Sequence, residues 1–216
     1  MIIAIDGPAA SGKSTTAKLL AEKIDFIHLN SGLMYRAITY IIIKNNLLED
    51  FSSSIKFIFE NLKFKGKNLT IVFFKHKNIS DKLYSEKINK NINFVSNNII
   101  IRKKLIQFQR SLVKNKNVVC EGRDIGSVVF PDAEFKFYLN ASIDERADRR
   151  YKEVLKTKSY ISKEEIINNI MIRDSNDINR KNSPLMKVKD CIELDTTNLT
   201  INQQVEYIYS IIKNRK

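Results

Sequence analysis

The chain opens with Met1-Ile-Ile-Ala-Ile-Asp-Gly-Pro-Ala-Ala-Ser-Gly-Lys-Ser14, and its last eight residues match the phosphate-binding pattern G-x-x-x-x-G-K-[ST] without a mismatch. The apolar run Ile2 to Ile5 predicts a short buried strand, and the apolar spacing of Lys13 to Lys23 predicts a helix. A glycine-containing turn before an ordinary helix is the alternative. The strand before the pattern and the helix after it favour a phosphate-binding loop, with these residues: Gly7, Pro8, Ala9, Ala10, Ser11, Gly12, Lys13, Ser14 and Thr15.

The expected chemistry of this loop comes from the helix that follows it. A helix N-terminus carries partial positive charge and unpaired N–H donors, so polyphosphate oxygens bind there. Lys13 would add a point charge, and Ser14 has the hydroxyl that a Mg²⁺ ion on a nucleotide needs. We therefore expect a nucleotide triphosphate with Mg²⁺ at this end of the chain.

Composition suits one domain spanning residues 1–216, because neither a Ser/Gly linker nor an internal repeat divides the 216 residues. The net charge of +13 could indicate a nucleic-acid-binding protein. However, the lysines are spread along the whole chain, often beside Asn and Ile, as in Lys114-Asn-Lys-Asn117. We expect most of them to be solvated surface residues and expect no specific nucleic-acid partner.

The cysteines and the apolar runs indicate in which cellular compartment the protein is expected. Cys120 and Cys191 lie far apart in apolar, strand-like runs and fit no metal-ligand spacing, so we expect buried thiols in a reducing compartment. With only His28 and His76 available, we expect no zinc site. The longest apolar stretches, such as Ile38 to Ile43, are too short to span a bilayer. We expect a cytoplasmic protein with no membrane partner, and we expect it to be a monomer.

Apolar periodicity predicts strands and helices in alternation beyond the first helix. Strands are expected at residues 26–29, 118–121, 135–139 and 191–194, and helices near 33–44, 86–96 and 100–114. Three more helices should start at the capping boxes Ser142-x-x-Glu145, Ser162-x-x-Glu165 and Thr200-x-x-Gln203. Within residues 55–83, the segments Leu62-Lys-Phe, Leu69-Thr-Ile-Val-Phe-Phe and Asn78-Ile-Ser suggest a small antiparallel sheet in an inserted subdomain, about 55–97. The whole pattern predicts an α/β fold with a mostly parallel sheet and helices on both faces.

Charged residues follow the buried strand that ends at Glu121. Arg123 and Asp124 should therefore lie at the carboxyl edge of the sheet, near the phosphate-binding loop. The alternative is a purely structural role, in which Arg123 and Asp124 form a pair that caps a loop. Gly122 and Gly126 would allow a ligand to approach closely, which favours a binding site.

Two further sets of arginines have helical spacing. Arg146, Arg149 and Arg150 stand at i, i+3 and i+4, so they share one face that could close over a transferring phosphoryl group. A solvated charged face is the usual explanation for such a run. Without the phosphate-binding loop, that explanation would be preferred.

A second stripe and a pair of residues suit a nucleoside monophosphate. Arg173, Asp177 and Arg180 recur at i, i+4 and i+7, with arginines for a phosphate and a carboxylate for a sugar hydroxyl; exposed ion pairing is the alternative. Ser31 and Arg36 offer a second phosphate contact across a helix start. A plain N-cap serine and a surface arginine would explain that pair equally simply.

Taken in order, these blocks resemble the bacterial cytidylate kinase family. The matching segments extend over nearly the whole chain: Asp6-Gly-Pro-Ala-Ala-Ser-Gly-Lys-Ser14, Asn30-Ser-Gly-Leu-Met-Tyr-Arg36, Glu121-Gly-Arg-Asp-Ile-Gly126, Val129-Phe-Pro-Asp-Ala133, Glu145-Arg-Ala-x-Arg-Arg150, Arg173-Asp-x-x-Asp-x-x-Arg180, Ser183-Pro-Leu185 and Asp195-Thr-Thr197. Any one of these segments could arise by chance, whereas the ordered set is very specific.

The resemblance implies the three-layer P-loop fold of nucleoside monophosphate kinases, with a monophosphate-binding subdomain inserted at about residues 55–97 and a short lid at about 146–182. It implies that ATP phosphates bind Gly7 to Ser14. The acceptor phosphate and sugar would be held by Ser31, Arg36, Arg123, Arg173, Asp177 and Arg180. Arg102 and Asp124 would approach the base. Catalytic roles would fall to Lys13, Arg123 and the lid residues Arg146, Arg149 and Arg150.

The chemistry of a carboxylate independently favours cytosine. A carboxylate accepts a hydrogen bond from the N4 amino group of cytosine but is repelled by the O4 of uracil. Three departures from the family pattern stand out. Asn30 replaces the usual Asp before Ser-Gly, Leu83-Tyr84-Ser85 replaces an Ile-Arg-Thr segment, and Asn93 falls where the family uses a serine near the base.

The sequence thus predicts phosphoryl transfer from MgATP to CMP and dCMP. A kinase for UMP or AMP is the nearest alternative, and the Arg102 and Asp124 pair argues against it. A GTP-dependent switch would need an N-K-x-D segment, and Asn89-Lys90 lacks the following Asp. A nucleic-acid-binding ATPase would use the net charge, and salt-sensitive binding to duplex DNA would support it.

Overall fold

The computed structural model describes residues 1–47, 51–155 and 161–214. The chain divides into two compact units, one made of Met1–Phe26 with Val119–Lys216 and the other of Ile27–Val118. We call them the first and the second unit. The predicted lid at about 146–182 includes residues 156–160, which lie outside the described residues.

Helices and strands alternate as predicted for most of the chain. In order, they are β1 Ile2–Asp6, α1 Lys13–Lys23, β2 Ile27–Asn30, α2 Ser31–Lys44, α3 Phe51–Asn61, β3 Leu62–Lys65, β4 Ile71–Phe74, β5 Lys77–Asn78, α4 Glu86–Asn97, α5 Ile99–Leu112, β6 Val118–Gly122, β7 Phe135–Asn140, α6 Ile143–Leu155, α7 Lys163–Asn179, β8 Ile192–Asp195 and α8 Ile201–Asn214. A 3₁₀ turn covers Ser80–Lys82 and a π-helical turn covers Ile125–Val129.

Strands of the first unit lie in the order β6-β1-β7-β8. β1 pairs in parallel with β7, with Ile3 opposite Phe135, and β7 pairs in parallel with β8, with Phe137 opposite Ile192. Apolar side chains of β1 and β7 are buried because α1 and α8 cover the sheet with an apolar cluster that includes Leu20. The predicted α/β fold with a mostly parallel sheet and flanking helices is confirmed.

The second unit contains the predicted antiparallel sheet. β3 pairs with β4 and β4 with β5, with Leu62 opposite Phe74 and Phe73 opposite Asn78. Along β3, Leu62 and Phe64 are buried while the intervening lysines are exposed, which is the alternation expected of a half-buried strand. The turn before β4 contains Gly66 at φ 83°, a left-handed conformation that glycine adopts readily.

Two predictions about these elements were wrong in detail. No helix was expected at residues 55–61, but they complete α3, whose buried Ile55 and Ile58 have helical spacing. Cys191 was expected to be a buried strand residue, but it is only partly buried and lies just before β8. Cys120 is buried in β6, as predicted.

All three predicted boxes start a helix with the expected N-cap contact, but within the residues that the structure describes the reciprocal bond is seen only from the Thr200 N–H to Gln203, because the Ser142 N–H donates to Thr197 instead. The N–H groups of Glu145, Glu165 and Gln203 each donate to the hydroxyl three residues earlier, at 3.3, 3.1 and 3.3 Å. Within residues 1–47, 51–155 and 161–214, the helices are all too short or too polar to cross a membrane.

Candidate active site

The phosphate-binding loop connects β1 to α1 and has the backbone that its glycines allow. Gly7 and Gly12 have φ angles of 153° and 88°. A Cβ on Gly7 would lie 2.0 Å from the backbone oxygen of Leu139 in β7, so only glycine fits there. Ala10 also has a positive φ of 58°, which is uncommon for a residue with a side chain. The loop therefore adopts a specific shape that leads directly into the N-terminus of α1.

Lys13 lies at the start of α1 with its side chain inside the protein. It is 4% exposed, and its Nζ donates to the carbonyl oxygen of Pro8 at 2.8 Å. Burial, assisted by the positive charge of Arg123, lowers the pKa of Lys13 from 10.5 to about 7. A phosphate group near Lys13 would supply the negative charge that favours its protonated form.

Ser11 of the phosphate-binding loop contacts Thr196, which is distant in sequence. Thr196 follows β8, and its hydroxyl donates to the carbonyl oxygen of Ser11 at 3.1 Å. Ser11 is fully buried, and its own hydroxyl has no hydrogen-bond partner in the part of the chain that the structure describes. A buried hydroxyl without a partner is costly, so a polar ligand in the loop would satisfy it.

Asp6 ties the end of β1 to the segment that carries the predicted Arg123 and Asp124. Its carboxylate accepts the N–H groups of Ile125 and Gly126 at 2.9 and 2.8 Å. Burial raises the pKa of Asp6 to about 6, although both hydrogen bonds oppose this increase. No role for Asp6 was predicted from the sequence, where the only local signal is its place just before Gly7.

Four charged side chains meet in the first unit. Arg123 Nε lies 2.8 Å from Asp177 Oδ2, and Arg180 lies 3.4 Å from Asp177 and 3.6 Å from Asp124. Burial alone would raise the pKa of Asp177, but the guanidinium groups of Arg123, Arg173 and Arg180 lower it. We call Arg123, Asp124, Asp177 and Arg180 the arginine–aspartate cluster.

The three arginines predicted to belong to a lid do not act as one face. Arg146 donates to the carbonyl oxygens of Ala141 and Ala9 at 3.1 and 3.2 Å and pairs with Asp174. Arg149 donates to the carbonyl oxygen of Thr196 at 2.6 Å. Arg150 instead pairs with Glu153 at the surface, where its side chain is 44% exposed. The predicted shared face is therefore divided, because only the first two arginines find partners beside the loop.

Acceptor-binding candidates also occur in the second unit. Asn30 caps α2 by accepting the N–H of Leu33 at 2.8 Å, so it takes the capping role considered for Ser31, which is the first helical residue. Arg36 donates to the carbonyl oxygen of Leu83 at 3.1 Å and to Asn89 at 2.9 Å.

Arg36 and Arg102 each lie over an aromatic ring. Arg36 is 4.9 Å from the ring centre of Tyr84, the residue that replaces an arginine of the family pattern. Arg102 is buried, lies 5.5 Å from the ring centre of Tyr35 and donates to the carbonyl oxygen of Ser96 at 3.0 Å. Neither side chain is a freely moving surface arginine.

The family profile described as cytidylate kinase matches residues 3–214. The cytidylate kinase of Fusobacterium nucleatum subsp. nucleatum is 42% identical over 220 residues, covering 100% of this chain and 99% of the relative. The chain belongs to the cytidylate kinase family. The cytidylate kinase of Halalkalibacterium halodurans is 39% identical, with coverages of 100% and 98%.

Some solved structures that resemble this cytidylate kinase family member are much more distant in sequence. A crystal structure of an uncharacterized protein from Eubacterium ventriosum has a TM-score of 0.51 at 13% identity. The similarity covers 99% of this chain and 98% of that one, and it shows the fold alone.

The residues present fit a nucleotide with Mg²⁺. Ser14 is exposed in the first turn of α1, where a hydroxyl can reach an ion held by phosphates. Among the described residues, no three His, Cys, Asp or Glu side chains form a group that could hold a metal. Mg²⁺ usually binds through one or two protein ligands plus substrate phosphates, so a single hydroxyl from Ser14 is a reasonable protein ligand.

Proposed function

We propose that this protein transfers the γ-phosphoryl group of MgATP to CMP, and also to dCMP, forming ADP and the corresponding diphosphate in pyrimidine nucleotide metabolism. As a cytidylate kinase family member, it is a phosphotransferase. The observation that carries the proposal is the buried Lys13 of the phosphate-binding loop, whose pKa responds to the charges of Arg123, Arg173 and Asp177. Donor-binding and acceptor-binding candidates therefore share one electrostatic environment.

For the donor, ATP phosphates would accept hydrogen bonds from the loop and from the first turn of α1. The protonated Lys13 would exchange the Pro8 carbonyl for a phosphate oxygen. Mg²⁺ would be held by Ser14 and the phosphates, and when bound it neutralises charge on the transferring group. Arg149 already lies close to this loop, since its Nη1 is 3.5 Å from the position of a Cβ on Gly12.

The acceptor phosphate would be bound by guanidinium groups that pair with carboxylates in this structure. In the arginine–aspartate cluster, a CMP phosphate would compete with Asp177 for Arg123 and Arg180, and Asp177 would turn to a ribose hydroxyl. Ser31, Arg36 and Arg102 are the candidates of the second unit, and Arg173 is the remaining candidate of the first. Asp124 would accept from the N4 amino group of cytosine.

Catalysis would rest on position and charge. The transition state spreads negative charge over the γ-phosphoryl oxygens, and the attacking oxygen of CMP is already anionic, so no general base is needed. Lys13, Arg123, Arg146 and Arg149 are the cations proposed to stabilise this charge. Arg150 would need to leave Glu153 and rotate inward to join them.

A coupled ADP-release assay with CMP, dCMP, UMP and AMP tests the proposal. We expect the highest kcat/KM with CMP, dCMP as a second good acceptor, and no turnover without Mg²⁺. A higher kcat/KM with UMP or AMP would overturn the acceptor assignment. The inserted subdomain at about 55–97, the lid, the monomeric state and the cytoplasmic location remain predictions of the sequence.

A further inference from the structure

Ala9 of the phosphate-binding loop is held through both of its backbone polar groups. Its N–H donates to Asp174 Oδ1 of α7 at 2.9 Å, across 165 residues of sequence. Its carbonyl oxygen accepts from Arg146 Nη1 of α6 at 3.2 Å. Arg146 and Asp174 also pair with each other, and Asp174 is only 9% exposed. The two helices thus hold the loop from opposite ends of one residue.

Apolar packing supports the same attachment. The side chain of Ala9 belongs to a small buried cluster with Ala147 of α6 and with Ile166 and Ile170 of α7. Asp174 follows Ile170 by four residues, so both side chains project from the same side of α7. The contact between loop and helices is therefore a packed surface with a buried charge at its edge.

This attachment determines which loop groups remain for phosphates. Pro8 has no N–H, and the N–H of Ala9 is already engaged by Asp174. The donors that can face a nucleotide therefore begin at Ala10, whose φ of 58° is unfavourable for a residue with a Cβ. Such a conformation persists only where its surroundings enforce it. Ala9 is held on one side of Ala10, and the Ser11 carbonyl is held by Thr196 on the other.

We propose that Asp174 is a positioning residue that keeps the phosphate-binding loop in its nucleotide-binding shape from helix α7. The inference rests on the proposed function only in that the loop binds nucleotide phosphates. Asp174 acts through the Ala9 N–H and touches neither substrate. Because α7 also carries Arg173 and Asp177, the helix proposed to bind the acceptor is the one that shapes the donor loop.

Calorimetric titration with MgADP tests this role without any acceptor. We expect Asp174→Ala to weaken MgADP binding by about tenfold, because the Ala9 N–H loses a charged, buried acceptor. We expect Asp174→Asn to retain an affinity within about threefold of the wild type, since its amide oxygen can still accept from Ala9. Asp148→Ala is the matched control. Asp148 of α6 pairs with Lys163 of α7 at 2.7 Å, with both side chains 44% exposed, and its loss should leave the affinity unchanged.

An equal loss in Asp174→Ala and Asp174→Asn, or in Asp174→Ala and Asp148→Ala, would overturn the proposal. So would wild-type affinity in Asp174→Ala. Amide hydrogen exchange of Ala9 in the nucleotide-free wild type gives a test that needs no variant. We expect slow exchange, and exchange as fast as in an exposed loop would overturn the proposal. A wild type that binds no MgADP would instead refute the proposed function, and the exchange rate of Ala9 would still decide the role of Asp174.

Discussion

Lys13 shows how one residue can be poised for an anion. The helix start places its side chain inside the protein, where the Pro8 carbonyl is a weak partner for a full charge. Desolvation disfavours the ammonium form, and Arg123 and Arg173 add repulsion. A phosphate would relieve both effects, so the destabilisation caused by the buried ammonium group is offset only when a ligand binds.

We expect Lys13→Met to stabilise the nucleotide-free protein while abolishing turnover. Unfolded chains protonate lysine up to about pH 10.5, whereas the folded chain releases this proton near pH 7. The destabilisation by Lys13 is therefore complete below pH 7 and decreases as the pH rises to 10.5. In urea unfolding at pH 7, the free energy of unfolding of Lys13→Met should exceed that of the wild type by on the order of 3 kcal/mol. A difference that does not shrink with rising pH would contradict this.

Asp124 offers a test of base selection. We expect Asp124→Asn to lower the ratio of kcat/KM for CMP over UMP by about tenfold, because a carboxamide can rotate to donate to O4. The assay compares the two monophosphates at saturating MgATP. Proportional losses for both would indicate a different role. Asp124 would then be positioning Arg180, whose Nη2 lies 3.6 Å from Asp124 Oδ1.

Tyr84 should help to hold Arg36 in its observed orientation. The ring is 65% exposed, so its cation–π interaction with Arg36 is of the weaker kind. We expect Tyr84→Leu to raise the KM for CMP by about two- to fivefold with kcat little changed. Tyr84→Phe is the matched control, because it keeps the ring and should match the wild type. Equal KM values for the Leu and Phe variants would show that the ring has no such role.

At the scale of elements, the contact between β7 and the phosphate-binding loop is constrained by the pairing of β1 with β7. Asp6 lies opposite Tyr138 in this pair, so Gly7 leaves β1 directly beside Leu139. Neither strand can shift without breaking the parallel ladder. The loop shape therefore depends on the sheet as well as on its own glycines.

We expect Gly7→Ala to destabilise the protein by about 3 kcal/mol or more, because its Cβ would overlap a backbone oxygen that cannot move. Gly66→Ala is the control. Gly66 also has a positive φ, but the nearest atoms to its Cβ lie 3.6 Å away on the Ile71 side chain, so only about 1 kcal/mol is expected. Denaturant unfolding measures both. Equal losses would mean that the backbone conformation, rather than the close contact, determines the effect.

Helix α3 shows where element prediction was wrong. No helix was expected there, and its aromatic and β-branched residues are more typical of strands than of helices. In the fold, Phe59 packs edge-on against Phe108 of α5 at 5.5 Å, and Phe57 packs against Phe74 of β4 at 5.9 Å. Tertiary partners of the aromatic rings thus stabilise a helix that local propensity does not favour.

For the whole molecule, the two kinds of basic residue are distributed differently. Several arginines of the candidate site are buried, as Arg102 is, or ion-paired, as Arg180 is with Asp124 and Asp177, whereas Arg150 and Arg173 are exposed. Lysines such as Lys56 and Lys90 are mostly exposed, with glutamates at helical spacing. The net charge of +13 therefore reflects a diffuse lysine-rich surface more than a built polyanion site.

We expect duplex DNA to leave ADP release unchanged at about 0.15 M salt, since diffuse surface charge is screened there. Binding measured by fluorescence anisotropy should be weak and should vanish as salt is raised. Heparin serves as a second polyanion for comparison. DNA-stimulated ADP release, or DNA binding that heparin does not reproduce, would favour the nucleic-acid-binding ATPase that the sequence left open.

The sequence by itself determined the features that depend on near neighbours. The strand, loop and helix around Gly7 to Ser14 follow from apolar spacing and glycine placement, and three helix starts follow from a hydroxyl residue with Glu or Gln three residues later. The family followed from ordered motifs. These signals are local because backbone geometry and hydrogen bonding within a few residues are sufficient to produce them.

Only the tertiary structure decided which charges meet. Arg146 and Arg150 stand four residues apart on the same helix, yet one pairs with Asp174 beside the loop and the other with a surface glutamate. No role for Asp174 could be predicted from the sequence, because its partner Ala9 lies 165 residues away. A side chain's burial and pKa depend on groups that packing brings near it, and no spacing along the chain encodes those distances.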